Sequence, residues 1–280
     1  MPPVRLVALT SLTMIAFAGN SLLCRFALAH TDIDAASFTT IRLISGAIML
    51  WLLVHMQGGT RSGHGSVLSA LALFAYAAGF SFAYLSLPAG TGALLLFGAV
   101  QATMIGYGLW TGERLAGWQV VGLALAIAGL VGLLLPGLSA PPLTGSLLML
   151  GAGIAWGVYS LRGQGKGNPL EVTAGNFLLA VPITLALSIV MLNDFSPDMP
   201  GVMYGIASGA VASGVGYAIW YMLLPALKAT HAATVQLSVP VIAAVGGVIF
   251  LAEPITLRLA IASAAILGGI ALVILEKHPA

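Results

Sequence analysis

The sequence predicts an all-α integral membrane protein with ten transmembrane helices, arranged as two inverted five-helix repeats. Three observations support this prediction. Of the 280 residues, 59% are hydrophobic and only 6% are charged, whereas soluble domains carry about 25% charged residues. Apolar segments of roughly 20 residues, the length that crosses a bilayer, recur along the whole chain. The two halves of the chain also carry similar motifs in the same order.

The composition makes lipid the solvent and narrows the possible functions. A chain this short could not cover so much apolar side-chain surface in water. The formal net charge is +2, and without a basic run interleaved with aromatics we expect no nucleic-acid partner. A single cysteine, Cys24, excludes an internal disulfide and a multi-cysteine metal site. We expect a monomer in the lipid bilayer that handles a small-molecule substrate without cofactor or metal.

Ten apolar segments are long enough to cross the membrane. The run from Val67 to Trp110 is too long for one crossing, and Pro88-Ala89-Gly90 supplies the turn that divides it. The predicted helices cover residues 6–29, 35–56, 66–87, 90–111, 117–135, 144–162, 169–192, 201–224, 229–251 and 255–275.

The first segment also resembles a secretory signal. Arg5 precedes its apolar run, and Ala27-Leu28-Ala29 has the small-x-small pattern of a cleavage site. Asn20 and Arg25 interrupt the run, however, and cleavage would remove the first copy of a repeated motif. We favour a retained first helix, with cleavage as the alternative.

The distribution of basic residues predicts that both termini are cytoplasmic. With the N-terminus inside, the cytoplasmic segments hold Arg5, Arg61, Arg114, Arg162, Lys166, Lys228 and Lys277. The outer loops then hold Asp32, Asp34, Asp194 and Asp198, with Arg258 as the main basic exception.

A repeat relates the two halves of the chain. Residues 15–21 read IAFAGNS and residues 154–160 read IAWGVYS. At an offset of 140 residues, Gly112-Glu113-Arg114-Leu115 falls on Ala252-Glu253-Pro254-Ile255. A breaker-rich connector at 136–142 joins the copies. We therefore assign the first repeat to residues 1–140 and the second to residues 141–280.

Five crossings in each repeat give the two copies opposite orientations in the membrane. Inverted repeats around a site near the bilayer midplane are typical of secondary transporters, because exchanging the conformations of the halves exchanges inward and outward openings. The repeated motif lies in the entry helix of each half. The repeat therefore predicts that Phe17 and Trp156 meet near the axis between the halves.

The motifs resemble those of the EamA family of the drug/metabolite transporter superfamily. The resemblance rests on Ala16–Ser21, on Arg42, on the segment that begins at Gly112, and on Trp156-Gly157 and Glu253-Pro254, and it covers nearly the whole chain. In general likeness the chain is most similar to bacterial exporters of aromatic amino acids. It departs from the family pattern in having Phe17 where tryptophan is usual and Val158-Tyr159 where Ser-Asn is usual.

The resemblance implies a transporter of the bacterial inner membrane that exports aromatic or apolar amino acids by alternating access. Two other cargoes are open alternatives. Nucleotide sugars or phosphorylated metabolites would require several cations at the midplane, where Arg42 stands alone. Multidrug efflux often relies on a membrane-buried carboxylate. A membrane-embedded enzyme is disfavoured because no paired carboxylates or nucleophile–base set occurs within the predicted helices.

Aromatic residues at helical spacing are candidates for the wall of a substrate cavity. The alternative is helix packing together with the interfacial aromatic belt, chiefly for Tyr84 and Tyr221 near helix ends. We assign Trp51, Trp110 and Trp118 to that belt. With two polar groups at membrane depth, the predicted substrate-binding residues are Phe17, Asn20, Tyr76, Phe80, Trp156, Tyr159, Tyr217 and Gln236.

A second set of residues is predicted to be structural or to act in gating. It comprises Arg42, Glu113, Pro240 and Gly209. Arg42 is either a functional group or a hub that caps backbone carbonyls, whereas Arg25 is expected to snorkel to the interface.

Helix packing and helix breaks also follow from the pattern of small residues and prolines. Small residues at four-residue spacing around Gly79 and Gly209 predict close helix approach, so that the third and eighth helices can pack and slide. Pro182 and Pro240 are expected to interrupt their helices.

Membrane topology can be tested with reporter fusions. Fusions at Gly63 and Gly165 are expected to read cytoplasmic, and fusions at Asp34 and Asp198 external, because positive charge is retained inside. Alkaline phosphatase and fluorescent-protein reporters distinguish the two sides. A reversed reading at either pair would overturn the inverted repeat.

Overall fold

The computed structural model describes residues 2–58, 65–112, 114–137, 139–163, 167–227 and 229–275. Within these ranges all regular structure is helical, and ten segments are long and apolar enough to cross a membrane. The predicted class, an all-α integral membrane protein with ten transmembrane helices, is confirmed.

The membrane-crossing segments are numbered here as spans 1 to 10 in chain order. Spans 1 to 7 are Pro3–His30, Ala35–Met56, Val67–Tyr84, Ala89–Trp110, Gly117–Leu134, Leu143–Gly163 and Pro169–Val190. Span 8 is Met199–Leu223, span 9 consists of the helices Ala229–Gln236 and Ser238–Leu251, and span 10 is Leu257–Leu275. Short 3-10 helices at Leu192–Asp194 and Leu224–Ala226 follow spans 7 and 8.

Polar residues cap the starts of several spans. Asp34 accepts a hydrogen bond from the Ser37 amide at 2.8 Å and one from the Ser196 amide at 3.0 Å. Partial burial raises the pKa of the Asp34 carboxyl, but these hydrogen bonds lower it by more, so the net pKa lies below the usual value. Asn168 and Asp198 cap spans 7 and 8 in the same way.

Close approaches at small residues determine which spans pair. Span 2 packs against spans 7 and 8, span 3 against spans 6 and 7, and span 4 against spans 6 and 9. Span 1 packs against spans 8 and 9, and spans 5 and 10 form a pair at the periphery. If spans 1 to 5 are exchanged with spans 6 to 10 in the same order, the same set of span pairs results.

The predicted close approaches at the small residues of the third and eighth helices are present, but these two helices are not packing partners of each other. Their small residues instead bring each of them close to a different neighbour. A Cβ atom at Gly79 would lie 3.1 Å from the Leu148 carbonyl oxygen of span 6. A Cβ atom at Gly209 would overlap the Arg42 carbonyl oxygen and the Ser45 hydroxyl of span 2.

Spans 8 and 9 depart from regular α-helix, whereas span 7 does not. Residues Ala207–Val215 of span 8 form a π-helix. Span 9 breaks at Leu237, because Pro240 has no N–H to donate to the carbonyl four residues earlier. The predicted interruption at Pro240 is therefore confirmed.

Pro182, by contrast, lies inside a continuous span 7, so the predicted interruption there is wrong. Near Pro182, span 7 is tied to span 2, because the Thr40 hydroxyl lies within hydrogen-bond distance of the Thr184 carbonyl and hydroxyl and of the Ser188 hydroxyl.

A residue with positive φ follows the end of both span 4 and span 9. Gly112 has φ +101° and Ala252 has φ +51°, both in the left-handed region. The two positions are 140 residues apart, the offset of the sequence repeat. Left-handed residues commonly terminate helices, and alanine adopts this conformation less readily than glycine.

The close approach at Gly209 gives a stability prediction with a matched control. Gly209→Ala is expected to lower the free energy of unfolding by about 1–3 kcal/mol, because the methyl group overpacks the contact with span 2. Gly151→Ala, where a Cβ atom meets nothing within 4 Å, is expected to be neutral or stabilising. A thiol-reactive dye measures unfolding, since the single cysteine, Cys24, is fully buried. Equal unfolding temperatures for the two variants would contradict the packing argument.

Candidate functional site

A cluster of aromatic rings, buried except for a partly buried Trp156, lies where spans 3, 6 and 8 meet. Trp156 is its centre: its ring centroid lies 4.7 Å from that of Tyr76, 5.2 Å from Tyr159 and 5.4 Å from Tyr217. The indole stacks on the rings of Tyr159 and Tyr217, and Phe80 lies 5.5 Å beyond Tyr76. Five of the predicted binding residues are therefore brought together, and we call them the ring cluster.

Phe17 joins the ring cluster through Tyr217. The Phe17 ring lies 5.6 Å from Tyr217, and Tyr217 in turn stacks on Trp156. Phe17 and Trp156 were predicted to meet, and the ring of Tyr217 lies between them and contacts both. Tyr217 in span 8 is the shared partner of the entry helices of both halves.

Arg42 of span 2 lies beside the ring cluster and is 2% exposed. Its Nη2 donates to the Tyr76 hydroxyl at 2.8 Å. Its Cζ lies 5.1 Å from the centroid of the Tyr76 ring and 4.7 Å from that of Phe80. Nη1 is buried and has no hydrogen-bond acceptor within the described ranges.

Asn20 binds the π-helix of span 8. Its side-chain nitrogen donates to the Ser213 hydroxyl at 3.0 Å, and its oxygen accepts from the Ser208 hydroxyl at 2.5 Å. Both serines and Asn20 are buried. Asn20 therefore holds spans 1 and 8 together, and its assignment to substrate binding stays a prediction.

The remaining predicted residues lie apart from the ring cluster. Gln236 lies in the first helix of span 9, which packs on span 10, and its amide donates to the Ala232 carbonyl at 3.3 Å. Pro240 follows the break in that span, and Gly209 lies in the π-helix against span 2. Glu113 lies outside the described residues.

Two further aromatic residues border the ring cluster and were not predicted from the sequence. Trp220 lies 6.0 Å from Phe17, and Phe177 of span 7 lies 6.2 Å from Tyr217. Trp220 follows Tyr217 by three residues, so helical spacing could have identified it. Phe177 stands on a helix without such an aromatic pair, and only packing places it there.

Residues predicted for the interfacial belt divide into two groups. Trp51, Trp110 and Trp118 are exposed on the outside of the bundle, as lipid contact requires. Tyr84 is instead fully buried, and its hydroxyl donates to the Ala89 carbonyl at 3.2 Å. The belt interpretation is therefore wrong for Tyr84, which closes the turn between spans 3 and 4.

An ion pair ties three segments together at one end of the bundle. Arg25 Nε donates to Glu253 Oε1 at 3.0 Å, and its Nη1 donates to the Tyr84 carbonyl at 2.9 Å. The Ala89 amide donates to the other Glu253 oxygen at 2.8 Å. The prediction that Arg25 snorkels is therefore wrong, because a carboxylate and backbone carbonyls satisfy the guanidinium where it stands.

The functional groups at the site are aromatic rings, hydroxyls and one guanidinium. No cluster of three His, Cys, Asp or Glu side chains suited to a metal occurs among the residues that the structure describes. Stacked rings offer flat apolar surfaces and π faces, tyrosine and serine hydroxyls offer hydrogen bonds, and Arg42 offers one positive charge. Such a site can hold a small molecule that has a flat or apolar part and a single anionic group.

Comparison with known proteins gives both full-length and partial matches. Uncharacterized protein PA1977 of Pseudomonas aeruginosa is 54% identical over 278 residues, covering 99% of this chain and 97% of that protein. The threonine/homoserine exporter RhtA of Escherichia coli (strain K12) is 32% identical over 141 residues, covering 49% of this chain and 48% of the exporter.

One solved structure supports the fold. A crystal structure aligns with a TM-score of 0.65 at 21% identity and covers 95% of this chain and 98% of that chain. Identity this low supports the fold alone.

The family comparison agrees with the fold and with the motifs. The EamA-like transporter family matches residues 143–275, which comprise spans 6 to 10. RhtA is an exporter, and the ten apolar helices make this chain a multi-pass membrane protein. The chain belongs to the EamA family of the drug/metabolite transporter superfamily.

Proposed function

We propose that this protein is a secondary transporter that exports amino acids, with aromatic or apolar side chains preferred, across the bacterial inner membrane. The observation that carries the proposal is the ring cluster with Arg42 beside it. Spans 2 and 3 contribute Arg42 and Tyr76, and spans 6 and 8 contribute Trp156, Tyr159 and Tyr217. The site therefore lies at the interface of the two proposed repeats, residues 1–140 and residues 141–280. A transporter built from two repeats binds its cargo at that interface.

Alternating access follows if residues 1–140 and 141–280 form inverted five-helix repeats. The span pairs that are unchanged by exchanging the halves support this arrangement. The left-handed turns at Gly112 and Ala252 end equivalent helices and support it further. In this arrangement a rocking of one repeat against the other opens the ring cluster first to one side and then to the other. Both termini are then cytoplasmic, and one chain suffices for function.

The charges around the ring cluster favour an amino acid over the other cargoes. A nucleotide sugar or a phosphorylated metabolite carries two or more negative charges, and Arg42 is the one buried cation described beside the rings. For multidrug efflux the described candidate acid is Glu253, which is neutralised by Arg25. The partial match to an exporter of threonine and homoserine also favours an amino acid as cargo.

Substitution of the central ring tests the cargo assignment. Trp156→Ala is expected to raise the half-saturating concentration for phenylalanine efflux roughly 2- to 12-fold, since a lost aromatic contact is worth about 0.5–1.5 kcal/mol. The measurement is counterflow of labelled phenylalanine in proteoliposomes. The control is Trp110→Ala, because Trp110 is 86% exposed on the outside of the bundle. Unaltered transport by Trp156→Ala would assign Trp156 to packing.

Energy coupling is proposed to be facilitative, with the substrate gradient as the driving force. Proton-driven carriers place a titratable acid in the membrane interior. The described acids lie at span ends or in loops, and Glu253 is paired with Arg25. Flux of labelled phenylalanine is therefore expected to be equal with and without an imposed pH gradient. Accumulation against the substrate gradient that a protonophore abolishes would refute facilitative transport.

A further inference from the structure

Arg42 carries a positive charge in the membrane interior without an acidic partner. The guanidinium is 2% exposed, and no described ion pair includes it. Burying a charge costs several kcal/mol unless hydrogen bonds and an opposite charge compensate. One hydrogen bond to Tyr76 and two π faces compensate part of this cost. Nη1, with no acceptor in the described part of the chain, receives no such compensation.

Among the described contacts, Arg42 does not cap backbone carbonyls as Arg25 and Arg258 do. Arg25 donates to the Tyr84 and Leu85 carbonyls, and Arg258 donates to the Leu133 and Leu135 carbonyls. These two side chains cap the ends of neighbouring helices. The described hydrogen bond of Arg42 goes to a side-chain hydroxyl instead. A hub that caps carbonyls was the structural alternative for Arg42, and this geometry disfavours it.

We propose that Arg42 binds the carboxylate of the transported amino acid, with Nη1 as the primary donor. This inference rests on the proposed function and specifies which part of the substrate the protein recognises. A guanidinium matches a carboxylate in charge and in planar shape, and the resulting hydrogen bonds are charge-assisted. One cation neutralises one carboxylate, so the site is suited to a monoanionic group.

The surroundings of Arg42 fix the orientation of the substrate. Tyr76 contacts both Arg42 and Trp156, so this one ring links the guanidinium to the ring cluster. A substrate carboxylate on Nη1 would place the rest of the molecule toward the ring cluster. The α-ammonium group then faces aromatic π faces, which attract cations, because no acidic side chain is described in the cluster. The carboxylate is therefore recognised more strongly than the ammonium group.

Three probe molecules distinguish recognition of the carboxylate from recognition of the ammonium group. Phenylalanine has both groups, 3-phenylpropionate lacks the ammonium group, and phenylalaninamide lacks the carboxylate. Dissociation constants come from the ligand-dependent rise in unfolding temperature of the purified full chain in detergent, since a ligand of the folded state stabilises it. We expect both carboxylates to bind, and the amide to bind roughly 10- to 100-fold more weakly, the range for a hydrogen bond to a charged group.

Variants then assign this preference to Arg42. Arg42→Met is expected to bind the acid and the amide equally, while Trp110→Ala keeps the wild-type preference. Arg42→Lys is expected to retain part of the preference, because it keeps the charge without the planar fork. If Arg42→Met does not fold, Arg42→Gln provides the test. It keeps hydrogen-bond donors at this position without the charge, so the acid and the amide are again expected to bind about equally.

The possible results distinguish a failure of the carboxylate site from a failure of the proposed amino acid export. Equal binding of acid and amide by wild type, or no binding of any probe, overturns the carboxylate site. A preference for acids that survives in Arg42→Met, or in Arg42→Gln where Arg42→Met does not fold, overturns the role of Arg42. In each case phenylalanine flux in proteoliposomes can still uphold amino acid transport. Carboxylate binding that depends on Arg42, without flux of phenylalanine or threonine, supports the site and refutes the proposed export.

Discussion

Hydrocarbon cannot hydrogen-bond to a buried polar group, and this constraint accounts for most of the polar contacts in the protein. Each side chain at membrane depth must find a partner inside the bundle. Asn20 binds two serine hydroxyls of span 8, and Thr40 binds the backbone and hydroxyls of span 7. These contacts join spans of different halves. Polar residues that are unfavourable in lipid thus hold the two halves together.

Contact between the halves also depends on small residues, because apolar surfaces gain little from leaving lipid for each other. Close packing and backbone approach replace the hydrophobic effect as the source of association. Gly122 and Gly269 bring spans 5 and 10 into backbone contact, and Gln119 donates to the Val273 carbonyl beside them. The same logic places Gly209 on the backbone of span 2, directly at Arg42. The π-helix that contains Gly209 therefore connects the position of span 8 with the candidate site.

Polar contacts tie both ends of span 3 to other segments, and the ring cluster lies between them. At its end, Tyr84 accepts from Arg25, which is paired with Glu253. At its start, Arg162 of span 6 donates to Ser66 and Ser69. In the proposed alternating access, opening the cluster toward either side would require one of these sets of contacts to separate.

The amino-acid sequence by itself determined the membrane class, the ten helices, the family motifs and five members of the ring cluster. Apolar runs have a fixed length in a bilayer, and aromatic residues four apart share one face of a helix. Only the tertiary structure decided which faces meet. The partner of span 8, the ion pair of Arg25 with Glu253 and the burial of Tyr84 depend on contacts between residues 59 to 228 positions apart. Spacing along one helix carries no information about such contacts, because they follow from the packing of small residues on neighbouring spans.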